Sequence, residues 1–427
     1  MSSHDKPNIY AELLTNIRQL SVAVTLPSSA GGHTKSSIAP DGLTLHIHHA
    51  GTAFSFPLPG KVLAQGDTAL PTPTSPASRT LSWRLPLAAD PAAPPPRGGS
   101  SGLADDPVPW TALDLRPGSA VACRRCAASV VPAGKAREWK DLPSENWAEM
   151  MDFWHCHKPA TEHEHGLEGE GEDHEHLTRR GYGANSSIAA QPGVGMVDLT
   201  SFLFRETDCA GVKFSPSSSP DGTGAAASSS EVLAGESDPP PRMLHASCSS
   251  CGAHLGFFNV AISSVVLLKW QVSCQTISQP APAPPTSSEC LAATLLATLS
   301  RSGSSKSVVV PTFQSSPSLA SGGADEASPT WPALHLWILN SNITYASSQQ
   351  HTKRVAIKVL YKEISQNEAD SMLESMTSDV QEVNLPTAAI VAAAEGLKSS
   401  TGFLPPSERV FKDWNVGLLD KWEAGGR

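Results

Sequence analysis

The stretch ASCSSCGAHLGFF, residues 246–258, decides how the chain is read. Its Cys248 and Cys251 form a C-x-x-C turn, which points two thiolates at one ion at about 2.3 Å. Gly252, directly after the pair, permits the left-handed backbone such a turn often needs. A second pair, Cys123 and Cys126 in ACRRCAA (residues 122–128), supplies the other half of a tetrahedron. The pairs lie about 120 residues apart, far beyond the spacing of a zinc ribbon. They can meet if each caps a strand hairpin of one β-sheet and the intervening chain is inserted. All four positions are then filled by protein and none is left for a substrate. The expected metal is therefore a structural zinc, one per chain. Neither pair sits in a thioredoxin-like βαβ pattern, which argues against a redox dithiol.

Around this quartet the apolar residues alternate. Leu20, Val22 and Val24, then Leu43, Leu45 and Ile47, then Phe54, Phe56 and Leu58 have the period of two expected of half-buried strands. The same holds for Leu334, Leu336 and Ile338 after Trp331, a run ending at Asn340. It holds again for Val355, Ile357, Val359 and Tyr361, with Lys358 and Lys362 on the opposite face. The tail differs. Phe411, Trp414, Leu418 and Trp422 recur at i, i+3, i+7 and i+11, which predicts a helix after Pro406. No internal repeat is present. The expected fold is a β-rich α+β protein, an antiparallel sheet core stapled by one four-cysteine zinc site, with few helices and long disordered inserts. A single domain over 8–427 is expected, with an N-terminal sub-region at 8–160 and a C-terminal one at 181–427. Low-complexity inserts are expected at 69–108, 160–180, 215–241 and 275–330, whose Pro, Ser, Gly or His/Glu composition buries too little apolar surface to offset chain entropy. Within the first, LSWRLPL (81–87) reads as a strand.

The 427 residues carry a net charge of −10, and only 17% are charged. Such a chain is a poor candidate for tracking phosphate backbones, so no direct nucleic-acid partner is expected. No segment approaches the ~20 apolar residues of a membrane helix, and the opening MSSHDKPNIYAELL lacks the marks of a secretory signal. An intracellular, soluble protein without a membrane partner is expected. Eight cysteines are too few for a disulfide scaffold of this length, and in a reducing compartment paired thiols more often hold metal.

A second chemical feature lies in DLPSENWAEMMDFWHCHKP, residues 141–159. Asp141 can cap a helix and Pro143 suits its first turn. Trp147, Met150, Met151 and Trp154 form one apolar stripe, and Pro159 ends it. At roughly 100° per residue, Cys156 points about 180° from the centre of that stripe, flanked by His155 and His157. A nearby imidazolium lowers a thiol pKa and makes it a nucleophile. Equally, Cys156 and His157 form a soft ligand set for a metal held by another protein, and a cysteine packed beneath the His-rich insert is the plainer alternative. The neighbouring EHEHGLEGEGEDHEH run reads as a solvated acidic linker.

The SENW…WHCH block, the NIYAELLTNIRQLSV opening, the CxxCGxxLG pair, Lys269–Trp270 and the WILNSNITY and RVAIKVLY strands together resemble the HECT-like ubiquitin-conjugating enzyme E2-binding family. The resemblance covers most of the ordered chain. It implies an E3 ubiquitin-protein ligase of the cytoplasm and nucleus that binds an E2 and ubiquitin and acts on protein substrates, cyclin-type proteins among them. A HECT-type ligase first takes ubiquitin onto a cysteine. That role falls here to Cys156, with His155 or His157 as the activating group, and Cys274 stands second. The chain departs from a true HECT domain, whose cysteine lies near the C-terminus of a bilobed fold. The resemblance also implies an alternative role. Relatives associate with the zinc endonuclease of the mRNA 3′-end cleavage machinery, and Cys156 and His157 would ligate that partner's zinc as a chaperone or inhibitor.

Overall fold

A computed structural model describes residues 6–30, 34–64, 67–71, 78–88, 108–142, 189–216, 243–278, 282–312, 333–375 and 377–423. The chain divides into two compact units, one made of 1–107 with 287–423, the other of 108–286 with 424–427. The described residues are β-rich. No helix among them is long and apolar enough to cross a membrane.

The first unit opens with β1 (Asn8–Leu14), β2 (Gln19–Thr25), β3 (Lys35–Ile38), β4 (Thr44–His49), β5 (Thr52–Pro57), β6 (Thr68–Leu70) and β7 (Thr80–Pro86). The second unit contains β8 (Val121–Cys123), β9 (Ser129–Val131), β10 (Glu138–Asp141), β11 (Val194–Val197), β12 (Ser201–Arg205), β13 (Val212–Ser215), β14 (Met243–Cys248), β15 (His254–Asn259), β16 (Ser264–Leu268) and β17 (Val272–Cys274). The chain then returns to the first unit through α1 (Ser287–Ser302), β18 (Lys306–Pro311), β19 (Ala333–Ser347), β20 (Gln350–Ile364), α2 (Gln366–Glu374), β21 (Val380–Leu385), α3 (Thr387–Thr401), β22 (Val410–Phe411) and β23 (Trp414–Asp420).

A nine-stranded sheet organises the first unit. Its main path is β22-β23-β20-β19-β1-β2-β7, and β18 and β21 continue from β19. Because β1 is central, both of its faces are buried. Ile9 and Ala11 join Leu20, Val22, Val24 and Leu81 in a core shared with a four-stranded sheet, β5-β4-β3-β6, through Ile38, Leu45, Ile47 and Phe56. Tyr10 faces the other way, into a cluster with Tyr345, Leu360, Phe403 and Val416. β20 is likewise two-sided. Ile357 and Val359 are buried, and so are Ala356 and Leu360 on the opposite parity. Lys358 shares that second face and meets Glu12 of β1 at 2.8 Å, so the face predicted to carry lysines is interior at Lys358.

The tail is a correction. Residues 414–420 form β23, paired antiparallel with β20 from Ala356↔Asp420 to Tyr361↔Asn415, rather than a helix. Phe411 and Trp414 face each other across a tight turn in which Lys412 has φ 56°. The four spaced aromatic and aliphatic residues match a helical period, but long-range pairing overrides it. Gly417 fits the sheet closely, since a Cβ there would lie 2.8 Å from Leu397 Cδ2 of α3. A second correction concerns 275–330. Residues 287–302 are the helix α1, with Cys290, Leu291, Leu295 and Leu296 buried, and 306–311 are β18. Their Ser and Ala content resembles a linker, yet alanine is the strongest helix former. The strand expected at 81–87 is present as β7, paired with β2. The strand expected to end at Asn340 runs on to Ser347 through register shifts at Ile338–Asn340 and Asn340–Ile343.

The second unit holds a seven-stranded sheet, β10-β11-β12-β16-β15-β14-β13, and a three-stranded sheet, β17-β8-β9. Phe202 lies at its centre, stacked on Trp110 and tilted against Trp139 and Phe204. Lys269 is fully buried beside these rings. Its Nζ donates to the carbonyls of Pro109 and Trp110 and stands 5.5 Å from the Phe202 ring centre. Two carbonyls and an aromatic face give the ammonium the solvation that burial removes.

Candidate metal centre

Two turns of the second unit have the same backbone. Between β8 and β9 the Cys123 N–H donates to Ala128 O and the Ala127 N–H returns to Cys123 O, each at 2.8 Å. Between β14 and β15 the Cys248 N–H donates to Ala253 O at 2.8 Å and the Gly252 N–H to Cys248 O at 2.9 Å. Closing such a loop requires a left-handed residue in the same place. Gly252 supplies it at φ 70°, and Ala127 supplies it at φ 60° in the first turn, against the steric preference of an L-residue.

The backbone also joins the two turns. Ala210 N–H donates to Val130 O at 2.7 Å, and Ser249 N–H donates to Gly211 O at 2.8 Å, so residues 210–211 bridge the β8–β9 hairpin to the second turn. Gly211 has φ 71°, and a Cβ there would meet Ser129 O at 2.8 Å. Both facts require glycine. β17 pairs with β8, Val272 opposite Cys123, and Arg124 N–H donates to Gln271 O. The Arg124 guanidinium reaches the carbonyls of Trp270 and Pro285.

This framework brings Cys123, Cys126, Cys248 and Cys251 together, their sulfurs all within 4.8 Å of one another. Cys123 Sγ lies 3.8 Å from Cys251 Sγ, and Cys126 Sγ lies 3.7 Å from Cys248 Sγ. A disulfide needs about 2.05 Å, and all four are free thiols. Tetrahedral thiolates on an ion at about 2.3 Å stand about 3.8 Å apart, so the quartet fits a metal ion. Cys123 and Cys248 are buried, Cys251 is half-buried and Cys126 is exposed. Burial pushes the Cys123 thiol up to about 12, against the pull of the Cys126 and Arg125 N–H groups. Burial also opposes ionisation of Cys248, but the N–H groups of Cys251 and Ser250 draw it down to about 7. Crowded thiols do not all ionise together without a cation to balance them.

The remaining described cysteines, Cys209, Cys274 and Cys290, stand apart from the quartet. Burial pushes Cys274, the second candidate acceptor, on β17, up to about 12 despite Lys269. Burial, with Asp208 and Glu206, does the same to Cys209, and Cys290 is buried in α1. His155, Cys156, His157 and the helix expected to carry them lie outside the described residues. Asp141, expected to cap that helix, ends β10, and its Oδ1 accepts the Ala112 N–H at 2.8 Å. Sequence reasoning missed Ala127 and Gly211. No local signal marks Ala127, and only the long-range approach to Ser129 explains Gly211.

A short part of the chain is similar to two curated fungal proteins. One is the uncharacterized protein YJR141W of Saccharomyces cerevisiae, 40% identical over 52 residues, which is 12% of this chain and 15% of the relative. The other is the uncharacterized protein C1734.10c of Schizosaccharomyces pombe, 44% identical over 54 residues, again 12% of this chain and 15% of the relative. The aligned region thus spans less than a sixth of each relative. No solved structure matches the chain. A family model, in contrast, matches residues 12–416. With the cysteine quartet and nearly all of the described strands inside that span, the chain belongs to the HECT-like ubiquitin-conjugating enzyme (E2)-binding family.

Proposed function

We propose that the protein binds a ubiquitin-conjugating enzyme and promotes transfer of ubiquitin to protein substrates, from a β-scaffold whose four-cysteine site holds one structural zinc. The family match over 12–416 carries this reading. Zinc suits the quartet because four soft thiolates in a closed tetrahedron are its usual structural set.

Cys156 takes the transfer step. Burial raises the thiol pKa of Cys209 and Cys274, Cys290 is buried, and the other four described cysteines form the quartet. The Cys156 thiolate attacks the ubiquitin thioester on the E2, forming a new S–C bond and releasing the E2 thiolate. A substrate lysine amine then attacks, the isopeptide bond forms and the Cys156 thiolate leaves. His155 or His157 accepts the proton lost by the amine. The quartet takes no part, because no coordination position is open.

The test incubates the full chain with activating enzyme, charged E2 and ubiquitin. A thiol-reducible ubiquitin adduct is expected, lost on Cys156→Ser. Absence of both the adduct and E2-dependent conjugation overturns the ligase reading, whereas conjugation that survives the substitution removes only the covalent step. The second reading, a chaperone of a 3′-end zinc endonuclease, rests on the Cys156–His157 ligand pair. It requires that Cys156→Ser abolish capture of that nuclease, and unchanged capture overturns it.

A further inference from the structure

A groove of about 730 Å³ in the first unit is lined by Lys6–Ile9, Ala53–Leu58, Ala346–Gln350 and Lys353. One wall is the strand β5, the edge of the four-stranded sheet, which among the described residues pairs only with β4. The register fixes which backbone groups of β5 are open. Leu58 N–H donates to Leu43 O, so the pairs Leu45↔Phe56 and Ile47↔Phe54 are the hydrogen-bonded ones and Phe54 and Phe56 turn their amides toward β4. Ala53, Ser55 and Pro57 turn theirs outward. Pro57, which has no N–H to donate, occupies a position that an edge strand tolerates.

The polar side chains of the opposite wall are already engaged. Ser348 Oγ accepts from Ile9 N–H and donates to Asn8 Oδ1. Ser347 Oγ accepts from Gln349 N–H, and Gln350 Oε1 accepts from Tyr345 O–H. Among the described residues, nothing pairs with the outward main-chain groups of Ala53 and Ser55, which lie next to apolar Phe54, Ile9 and Leu58. Lys6 and Lys353 are exposed and line the groove, and no carboxylate lines it among the described residues.

We propose that β5 receives an extended, acidic segment of a partner protein as an added strand. Main-chain pairing to Ala53 and Ser55 supplies the register. Alternate apolar side chains enter the groove beside Phe54 and Leu58, while acidic side chains on the segment meet Lys6 and Lys353. This site is independent of the ubiquitin-transfer reading.

The test uses the full chain and a fluorescent, end-blocked nonapeptide of alternating glutamate and valine, with a lysine-for-glutamate peptide as its control. Saturable binding of the glutamate peptide is expected, weakened at least tenfold by Ser55→Pro, which removes an outward N–H without touching the β4 ladder. The double change Lys6→Glu with Lys353→Glu is expected to weaken it similarly, with unchanged thermal melting showing that the fold persists. Equal binding of the lysine peptide overturns the proposal, as does binding indifferent to both variants or no binding at all. Self-association in sedimentation that Ser55→Pro abolishes also overturns it, because the occupant is then a second copy of the chain.

Discussion

In the first unit a half-buried lysine and a buried glutamate neutralise each other, whereas in the second four clustered thiols form a set that fits a metal ion. Lys358 meets Glu12 at 2.8 Å and Glu408 at 3.3 Å, and Tyr10 O–H donates to Glu12 at 2.7 Å. Burial opposes the charge on Lys358, yet Glu12 and then Glu408 raise its pKa above the ordinary lysine value. Among the described residues, no lysine or arginine charge acts on the shifted thiols Cys123, Cys126 and Cys248. Their two turns meet through the short backbone bridge at Ala210–Gly211 rather than through a large apolar face. The difference teaches where each unit is vulnerable, the first to loss of a side chain and the second to loss of an ion.

The largest effect is expected from metal removal. A chelator, or Cys248→Ser, should expose the amides of β8, β9, β14 and β15 to hydrogen exchange while those of β1, β19 and β20 stay protected. Metal binding in small thiolate sites is linked to on the order of 10 kcal/mol of folding free energy. Equal loss of protection in both units would erase the contrast.

Next in size is Lys358→Met, which leaves Glu12 buried without its cation and should lower stability to urea by about 3–5 kcal/mol. The sign of its pH dependence follows from the raised pKa. The contribution of Lys358 is fully present below the unfolded lysine value of about 10.4 and is lost as pH rises through the folded one. An alkaline unfolding limb that the variant lacks would sharpen the comparison.

A smaller, acid effect belongs to the second unit. His254 stands with its Nε2 3.2 Å from His245 Nδ1, and burial, then His245, lowers its pKa to about 4 from 6.5. A depressed folded pKa favours folding above the unfolded value, and that contribution is lost as pH falls from about 6.5 toward 4. After solvent screening the loss is roughly 2 kcal/mol. His254→Gln should flatten stability against pH in that window, and an unchanged slope would remove His254 from the account.

The smallest change is expected to stabilise. Ala127 occupies the left-handed position that Gly252 occupies in the other turn, so Ala127→Gly should add up to about 1 kcal/mol. The reverse exchange, Gly252→Ala, should cost a similar amount, since a Cβ there meets nothing within 4 Å and only the backbone is strained. Calorimetric melting points of both variants check the pair, and a stabilising Gly252→Ala would contradict the shared turn.

What could be read in advance follows the same division. The quartet was legible because C-x-x-C spacing is a local signature that needs no knowledge of the path between the pairs. Strands such as β2 and β20 were legible because packing faces impose a period of two. Residues 411–422 misled because spacings of three, four and four fit a helix while Val416, Leu418 and Leu419 serve two faces of a sheet. α1 was hidden by alanine and serine, which composition assigns to linkers. Gly211 and the Glu12–Lys358 pair depend on contacts between distant segments, which no sequence window contains.

Elemental analysis of the purified full chain tests the central claim most directly. One zinc per chain is expected, lost with Cys248→Ser and unaffected by Cys274→Ser. A metal-free chain that retains hydrogen-exchange protection in β8, β9, β14 and β15 would contradict it.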